Sequence, residues 1–183
     1  MFQAESGRFL IADPFLKDPN FLRSVIFLCE HNEEGSFGLV VNRLLPLRVS
    51  DLLTDLPNAD FPVYYGGPVQ TNTLHILHKI PDLEEQSQML MKNLYWGGAI
   101  DTITEMIVKN QLNENNIRFY LGYSGWSKGQ LDEEIKENTW LTGKGSSELV
   151  FMKDPELCWK KALQSLGEPY NQMALYPIDP QLN

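Results

Sequence analysis

The sequence has little of several features that would mark particular protein classes. Two cysteines, Cys29 and Cys158, occur in 183 residues, and neither has the Cys-x-x-Cys companion of a structural zinc site. The longest apolar run, Val25–Cys29, is far shorter than the ~20 residues that span a bilayer. Glycine (13) and proline (11) are present at ordinary levels. Disulfide scaffolds, helical membrane proteins and low-complexity chains are thereby excluded.

Positive charge is also scarce. Fifteen lysines and arginines stand against 24 aspartates and glutamates, which gives a net charge of −9. Such a surface repels phosphate backbones unless its basic residues gather on one face, and no basic run exceeds Lys160-Lys161. Neither a helix-turn-helix spacing nor a zinc finger is present. Direct nucleic-acid binding is therefore not expected.

The compartment is predicted from the N-terminal residues and the cysteines. Residues 1–7 show neither the basic nor the apolar part of a signal peptide, so we expect a cytoplasmic protein without a membrane segment. Cys29 and Cys158 both lie among apolar residues, as buried free thiols do. Neither a metal nor a cofactor is expected.

Length and hydrophobic content predict one domain over residues 1–183 with a proper core. The predicted strands are 8–12, 24–31, 36–42, 63–65, 73–78, 117–122 and 148–152. The predicted helices are a turn at 49–53, then 99–111, a helix after Ser127 and one over 154–167. Strands come first and helices late, without strict βαβ alternation, which favours the α+β class.

Several local signals support these elements. Both faces of 24–31 are apolar, which predicts a central strand, and Gly35 suits a tight hairpin turn into 36–42. Ser127 followed by Gln130 reads as a capping box, and Asp154-Pro155 opens the last helix. Residues 81–91 are polar and are predicted to form a loop.

Three apparent motifs do not carry chemistry. Residues 122–126 approach the Gly-x-Ser-x-Gly elbow, but Trp126 occupies the last glycine position. Residues 143–147 resemble a phosphate-binding loop, but Asn138 stands where its first glycine is required. His75 and His78 are oddly spaced on a strand, so they point to opposite faces and cannot share a metal ion.

Polar residues directly after apolar strands form the candidate site. They are His31, Asn32, Asn42, Arg43, Gly66, Gly67 and Pro68. One interpretation is structural, with Arg43 paired to Glu30 across the hairpin. The other is a pocket for an anion or a nucleotide, lined by Arg43, His31 and Asn42, in which Arg43 offers its fork of donors; more broadly, these residues and the 66–68 turn form a contact surface for a ligand or partner. Arg43→Ala would then weaken capture without loss of stability, whereas a large loss of stability would assign Arg43 to structure.

A rival hypothesis is a hydrolase or transferase that uses His31 with Cys29 or Ser124 as nucleophile. Cys29 lies in an apolar run, where burial raises the pKa of a thiol and lowers its reactivity. A reactive Cys29 at neutral pH would favour the enzyme.

A series of motifs, taken in order, resembles the YqgE/AlgH family of bacterial proteins over residues 6–167. The motifs are residues 7–12, 18–21, 23–25, 30–32, 38–43, 66–69, 77–78, 122–126, 129–131, Glu134, 140–141 and Trp159. Leu44-Leu45 stand where the family often has proline, and residues 82–98 match poorly. The resemblance implies a bent, mostly antiparallel sheet that forms a partial barrel with helices around it. It implies no catalytic residue.

The sequence thus predicts a non-enzymatic cytoplasmic binding or regulatory module for a protein partner or a small ligand, and it leaves a homo-oligomer open. Some family members have been called transcriptional regulators, so a regulator that acts indirectly or on DNA is an alternative. The hydrolase or transferase is the other.

Overall fold

The computed structural model describes residues 4–56 and 58–177. Within them the strands are β1 Phe9–Ala12, β2 Val25–Asn32, β3 Gly35–Val40, β4 Leu44–Arg48, β5 Pro62–Tyr65, β6 Val69–His78, β7 Ser87–Met91, β8 Leu94–Gly97, β9 Ile117–Ser127 and β10 Trp140–Gly143. The helices are α1 Val49–Leu52, α2 Ile100–Val108, α3 Gln130–Lys136, α4 Ser147–Val150, α5 Pro155–Gln164 and α6 Tyr170–Met173, with a 3-10 helix at Pro81–Gln86. No helix in these two ranges has the length and apolar character needed to span a membrane.

One curled sheet organises the molecule as a half-barrel. Its strand order is β10-β1-β2-β3-β9-β6-β8-β7, with β5 paired to β9 and β4 paired to β5. The β5–β9 pair is parallel and the others are antiparallel. The predicted α+β domain, with a bent and mostly antiparallel sheet, is confirmed.

β9 lies between two hydrophobic cores. Successive side chains of a strand point to opposite faces, and here Phe119 enters the core beneath α2 while Tyr120 enters the core of β1, β2 and α5. Both side chains are fully buried. The same strand pairs with β3, β5 and β6. β9 therefore fixes how the two halves of the sheet meet.

The strongest local predictions are confirmed. β2 and β3 form the expected hairpin, and Val25–Cys29 is fully buried, as a strand covered on both faces requires. α5 begins at Pro155 as predicted, and the Asp154 carboxylate accepts hydrogen bonds from the backbone N–H groups of Glu156 and Leu157.

One predicted strand and one predicted N-cap are wrong, although the helix predicted after Ser127 is present as α3. Residues 148–152 do not form a strand; α4 occupies 147–150 because Ser146 caps it, its Oγ accepting from the Leu149 N–H at 3.4 Å. Ser127 is not an N-cap, since it still belongs to β9 and α3 starts after Gly129 (φ 74°). The Gln130 side chain nevertheless accepts a hydrogen bond from the Ser127 N–H at 3.0 Å.

The predicted loop at 81–91 is also wrong. It contains the 3-10 helix and β7, and neither β8 nor β4 was predicted from the local sequence pattern. β7 and β8 pair with each other and β8 pairs with β6. These short strands depend on pairing across the sheet more than on their own sequence, which is why local pattern failed to show them.

The Gly66-Gly67-Pro68 turn allows β5, β6 and β9 to approach closely. A Cβ on Gly66 would lie 2.1 Å from the Gly122 carbonyl oxygen, and one on Gly67 would lie 2.2 Å from the Tyr123 carbonyl. The Gly66 oxygen accepts from the Val40 N–H at 2.9 Å, and its N–H donates to the Leu121 carbonyl at 2.8 Å. The turn is thus a packing element between strands.

Gly66→Ala should lower the free energy of unfolding by about 3 kcal/mol, because the added methyl group pushes the turn away from β9. Gly129→Ala is the control: no other described atom lies within 4 Å of its Cβ, and its positive φ should cost only about 1 kcal/mol. Urea unfolding of the two variants measures the difference. Equal losses would contradict the close-approach explanation.

A carboxylate joins α3 to two strands. Glu134 Oε2 accepts hydrogen bonds from the indole Nε1 groups of Trp126 and Trp140, each at 2.8 Å. Gln130 Nε2 donates to the other oxygen at 2.8 Å. Both indoles are buried, at 7% and 2% exposure. Glu134 thereby satisfies two donors that would otherwise be buried unpaired.

Glu134→Ala should destabilise the protein by about 3 kcal/mol, since it leaves two buried N–H donors without an acceptor. Glu134→Gln keeps one acceptor oxygen and should lose less. Exposed Glu133→Ala, on the same helix, should change stability by less than about 0.5 kcal/mol. Chemical unfolding followed by tryptophan fluorescence tests this series, and a Glu134→Ala variant as stable as Glu133→Ala would contradict it.

Candidate functional site

The hairpin register separates the predicted site residues. His31 pairs with Ser36 beside the turn, whereas Ile26 pairs with Val40 at the other end. Asn42 lies at that far end, where its Oδ1 accepts from the Val25 N–H at 2.8 Å. Six residues of strand span about 20 Å. In an antiparallel pair, residues that follow consecutive strands lie at opposite ends, so His31-Asn32 and Asn42-Arg43 do not form one surface.

Arg43 holds a loop in place. Its guanidinium donates to the carbonyl oxygens of Asn20 at 2.9 Å and of Pro19 and Leu22 at 3.4 Å each, and it lies 5.4 Å from the centre of the Tyr65 ring. Glu30 instead accepts from the Asn32 amide at 2.8 Å. The expected Glu30–Arg43 ion pair is therefore wrong, because the two residues lie at opposite ends of the hairpin.

Arg43→Ala should reduce the free energy of unfolding by about 2 kcal/mol, because several carbonyl groups of the 19–22 loop lose their charged donor. Lys17→Ala removes the same charge from an exposed position beside that loop and should change stability by less than about 0.5 kcal/mol. Thermal and urea unfolding measure both. Unchanged stability in Arg43→Ala would return Arg43 to the list of candidate binding residues.

Among the described residues, Cys29 and Ser124 both donate to backbone carbonyl groups and not to His31. The Cys29 thiol is fully buried and donates to the Phe27 carbonyl at 3.6 Å; burial, with a smaller effect of the Glu30 charge, raises its pKa. Ser124 is also fully buried and donates to the Gly66 carbonyl at 3.2 Å. Neither group can reach a substrate from these positions.

His31 has a different hydroxyl partner, which the sequence analysis missed. His31 Nδ1 lies 2.8 Å from Ser36 Oγ, and its Nε2 lies 3.9 Å from Asp132 Oδ1 on α3. Serine, histidine and aspartate thus lie in a row. His31 and Ser36 are direct neighbours across the β2–β3 hairpin. Through Asp132 they connect the hairpin to α3.

An open groove of about 620 Å³ lies beside the hairpin, and Ser36 is among the residues that line it. Glu30, Asn32 and Phe37, each one position away from His31 or Ser36, also line it, and they share one face because side chains alternate along a strand. We call it the aromatic groove. It is lined in part by the rings of Phe37, His75, Trp96 and Tyr123 and, at its rim, by Glu30, Asn32 and Glu34. Of the seven predicted site residues, Asn32 lines this groove.

The four rings pack on one another. The centre of the Phe37 ring lies 4.8 Å from that of Trp96, 5.1 Å from Tyr123 and 5.3 Å from His75. The rings are tilted rather than stacked face to face, with interplanar angles of 48° to 57° about Phe37. All four side chains are half-buried, so the groove presents apolar ring surface to solvent.

His75 lies among these rings as a neutral group. Burial lowers its pKa, and its Nε2 is buried without a hydrogen-bond partner among the described residues. A buried ring nitrogen without a partner costs free energy. Within the described ring cluster, His75 Nε2 is therefore a buried polar atom that makes no hydrogen bond.

His78 lies elsewhere, as the odd spacing predicts. It stacks on Tyr95 with ring centres 5.4 Å apart, and its Nε2 lies 2.8 Å from Ser87 Oγ. Burial lowers the pKa of His78 to about 4. Among the residues that the structure describes, no group of three His, Cys, Asp or Glu side chains is placed to hold a metal ion.

The rim of the groove is acidic. Glu30 and Glu34 are exposed at its edge, and the described residues that line it include no lysine or arginine. Sequence reasoning missed Phe37, Trp96 and Tyr123 because they come from three different strands. Their rings meet only when the sheet is assembled.

The matching sequence family covers residues 9–171 and is described as AlgH-like. The chain belongs to the AlgH-like family. It is 38% identical to a UPF0301 protein of Chlorobaculum tepidum over 177 residues, 97% of this chain and 95% of that protein. It is 40% identical to a UPF0301 protein of Bacteroides thetaiotaomicron over 178 residues, 97% of this chain and 90% of that one. The resemblance seen in the sequence is confirmed.

Solved structures agree with this membership. The solution structure of the AlgH protein from Pseudomonas aeruginosa matches with a TM-score of 0.74 at 32% identity, covering 97% of this chain and 98% of that one. A crystal structure of a Corynebacterium diphtheriae protein matches with a TM-score of 0.79 at 19% identity, covering 96% and 94%. The second match shows a shared fold alone. Family membership specifies the fold without specifying a reaction.

Proposed function

We propose that this protein is a non-enzymatic binding module and that the aromatic groove holds a small organic ligand. The observation that carries the proposal is the half-buried cluster of Phe37, His75, Trp96 and Tyr123 at an open groove. Ligand sites are concave, rich in aromatic surface and supplied with few polar groups, and about 620 Å³ lies within their usual range of roughly 300–1,000 Å³. Each of these features is present.

A second groove supports the choice by contrast. It measures about 840 Å³ and is lined in part by β10, α4 and α5, with Lys144 and Lys161 among its residues. Its glycine-rich turn at 143–147 has a packing explanation, since a Cβ on Gly145 would lie 1.8 Å from the Gly7 carbonyl oxygen. The glycines of this turn therefore have a structural explanation and do not point to a ligand.

We also propose that the protein acts in the cytoplasm and has a regulatory role. Cys29 and Cys158 are free and buried, and unpaired thiols fit a reducing compartment. A net charge of −9 favours a protein that acts through its ligand or a partner over one that contacts a promoter. A binding event beside the β2–β3 turn would alter the surface that a partner meets.

Protein-observed NMR with a library of small soluble fragments tests the proposal. Fragments with an aromatic or apolar part should shift the amide signals of Phe37, Trp96 and Tyr123 and the indole signal of Trp96 together. Trp96→Ala should abolish these shifts. Tyr170→Ser, which alters the second groove, should leave them unchanged.

Two results would overturn this function. One is a library in which no fragment class perturbs the aromatic groove. The other is a set of shifts confined to the second groove.

A further inference from the structure

The charge at the rim of the aromatic groove restricts what the groove can receive. Glu30 and Glu34 are exposed acceptors at the edge, and no described lysine or arginine lines the groove to offset them. Glu33, between them on the same turn, adds a further negative charge nearby but does not line the groove. An anionic ligand would therefore be repelled at the entrance.

The rings that form the groove favour the opposite charge. The face of an aromatic ring carries negative potential, so tryptophan, tyrosine and phenylalanine attract ammonium and guanidinium groups within about 6 Å. Trp96, Tyr123 and Phe37 are all present within one cluster and only half-buried. A cation that enters the groove would contact ring surface and carboxylates together.

The same molecule already uses this chemistry internally. The Arg23 guanidinium lies 4.7 Å from the centre of the Trp159 ring, and Lys79 Nζ lies 4.3 Å from that of Phe151. In those pairs the cation belongs to the chain itself. The described lining of the aromatic groove supplies rings and carboxylates but neither lysine nor arginine, so a cation seated there would come from outside this lining.

His75 adds to the preference through its charge state. Because burial lowers its pKa, the ring stays neutral at physiological pH and does not oppose a cation. A protonated histidine among the same rings would repel one. The carboxylates, the aromatic rings and the neutral His75 therefore all favour a positively charged ligand over a negatively charged one.

We propose that the aromatic groove binds a small organic cation, with a quaternary ammonium or guanidinium group seated against Trp96, Tyr123 and Phe37 and attracted by Glu30 and Glu34. The inference rests on the proposed function, because it names the chemical class of ligand for the same groove. A basic side chain of a partner protein would offer similar chemistry. The groove has the volume of a small-molecule site, so the proposal commits to the free molecule.

Two isosteric pairs of probes test the charge alone. Choline is compared with 3,3-dimethyl-1-butanol, in which a carbon replaces the charged nitrogen. N-acetylarginine methylamide is compared with N-acetylcitrulline methylamide, in which a urea replaces the guanidinium. Binding is followed by NMR at the groove signals. At least one cation should bind about tenfold more tightly than its neutral partner, and added salt should reduce that ratio.

Matched variants identify the carboxylates responsible. Glu30→Gln combined with Glu34→Gln removes the rim charge and keeps oxygen acceptors, and it should weaken cation binding about fivefold. Glu33→Gln removes one charge from the same turn outside the groove lining and should weaken binding less than about twofold. Unchanged amide spectra away from the turn confirm that both variants fold.

The outcomes separate the two proposals. A cation that exceeds its isostere and loses this advantage in the double variant supports the inference. Neutral and charged probes that shift the groove equally overturn the inference and leave the binding function intact. If neither cation binds while neutral fragments do, the inference also fails. A groove that no probe or fragment perturbs overturns both. Tighter binding of an arginine-bearing partner peptide than of either free cation would overturn the choice of a free molecule.

Discussion

The structure depends on the close approach of two backbone segments, Gly66-Gly67 and Gly122-Tyr123. A side chain at Gly66 would overlap the carbonyl of Gly122, so β5 can pair with β9 only because that side chain is absent. β9 in turn pairs with β3 and β6. β9 thus pairs with three strands. The segment that connects β5 to β6 can lie against it because Gly66 and Gly67 have no side chains. Gly122 adopts a positive φ of 70° at the point where β9 passes from pairing with β5 to pairing with β3, a conformation that glycine adopts without steric cost.

Arg118 shows how β9 also joins the interior of the protein. The residue is 4% exposed, and its guanidinium donates to the carbonyl oxygens of Val41 and Met152. It lies 4.5 Å from the centre of the Tyr64 ring and 5.7 Å from that of Phe151. Carbonyl dipoles and ring faces thus receive the buried charge. A buried cation is stable only where it finds acceptors such as these carbonyl groups. Arg118 therefore holds the end of β3 and the segment after α4 against β9.

Sequence patterns predicted the parts of this fold whose energetics are local. The hairpin of β2 and β3 followed from two apolar runs joined by a short link that ends at Gly35, and the start of α5 followed from Asp154 and Pro155. β8 was missed because Trp96 has no local pattern to reveal it and gains its place by pairing with Leu77. The structure does not bring the predicted site residues His31 and Arg43 onto one surface, for a related reason. Polar residues after a strand mark its end, but only the register shows that His31 and Arg43 mark opposite ends of one hairpin.

The aromatic groove, by contrast, could not be predicted from any segment alone. Phe37, His75, Trp96 and Tyr123 come from four strands, and their rings meet because β3 and β6 flank β9 and β8 follows β6. The strand alternation that sends Ser36 and His31 towards α3 sends Phe37 and Glu30 the other way. Because Glu30 lies directly opposite Phe37 in the β2–β3 pair, its carboxylate and the Phe37 ring lie on the same face of the hairpin. The backbone approach at Gly66 lets β5 pair with β9, and β9 in turn pairs with the β3 and β6 strands that supply Phe37 and His75 to the groove.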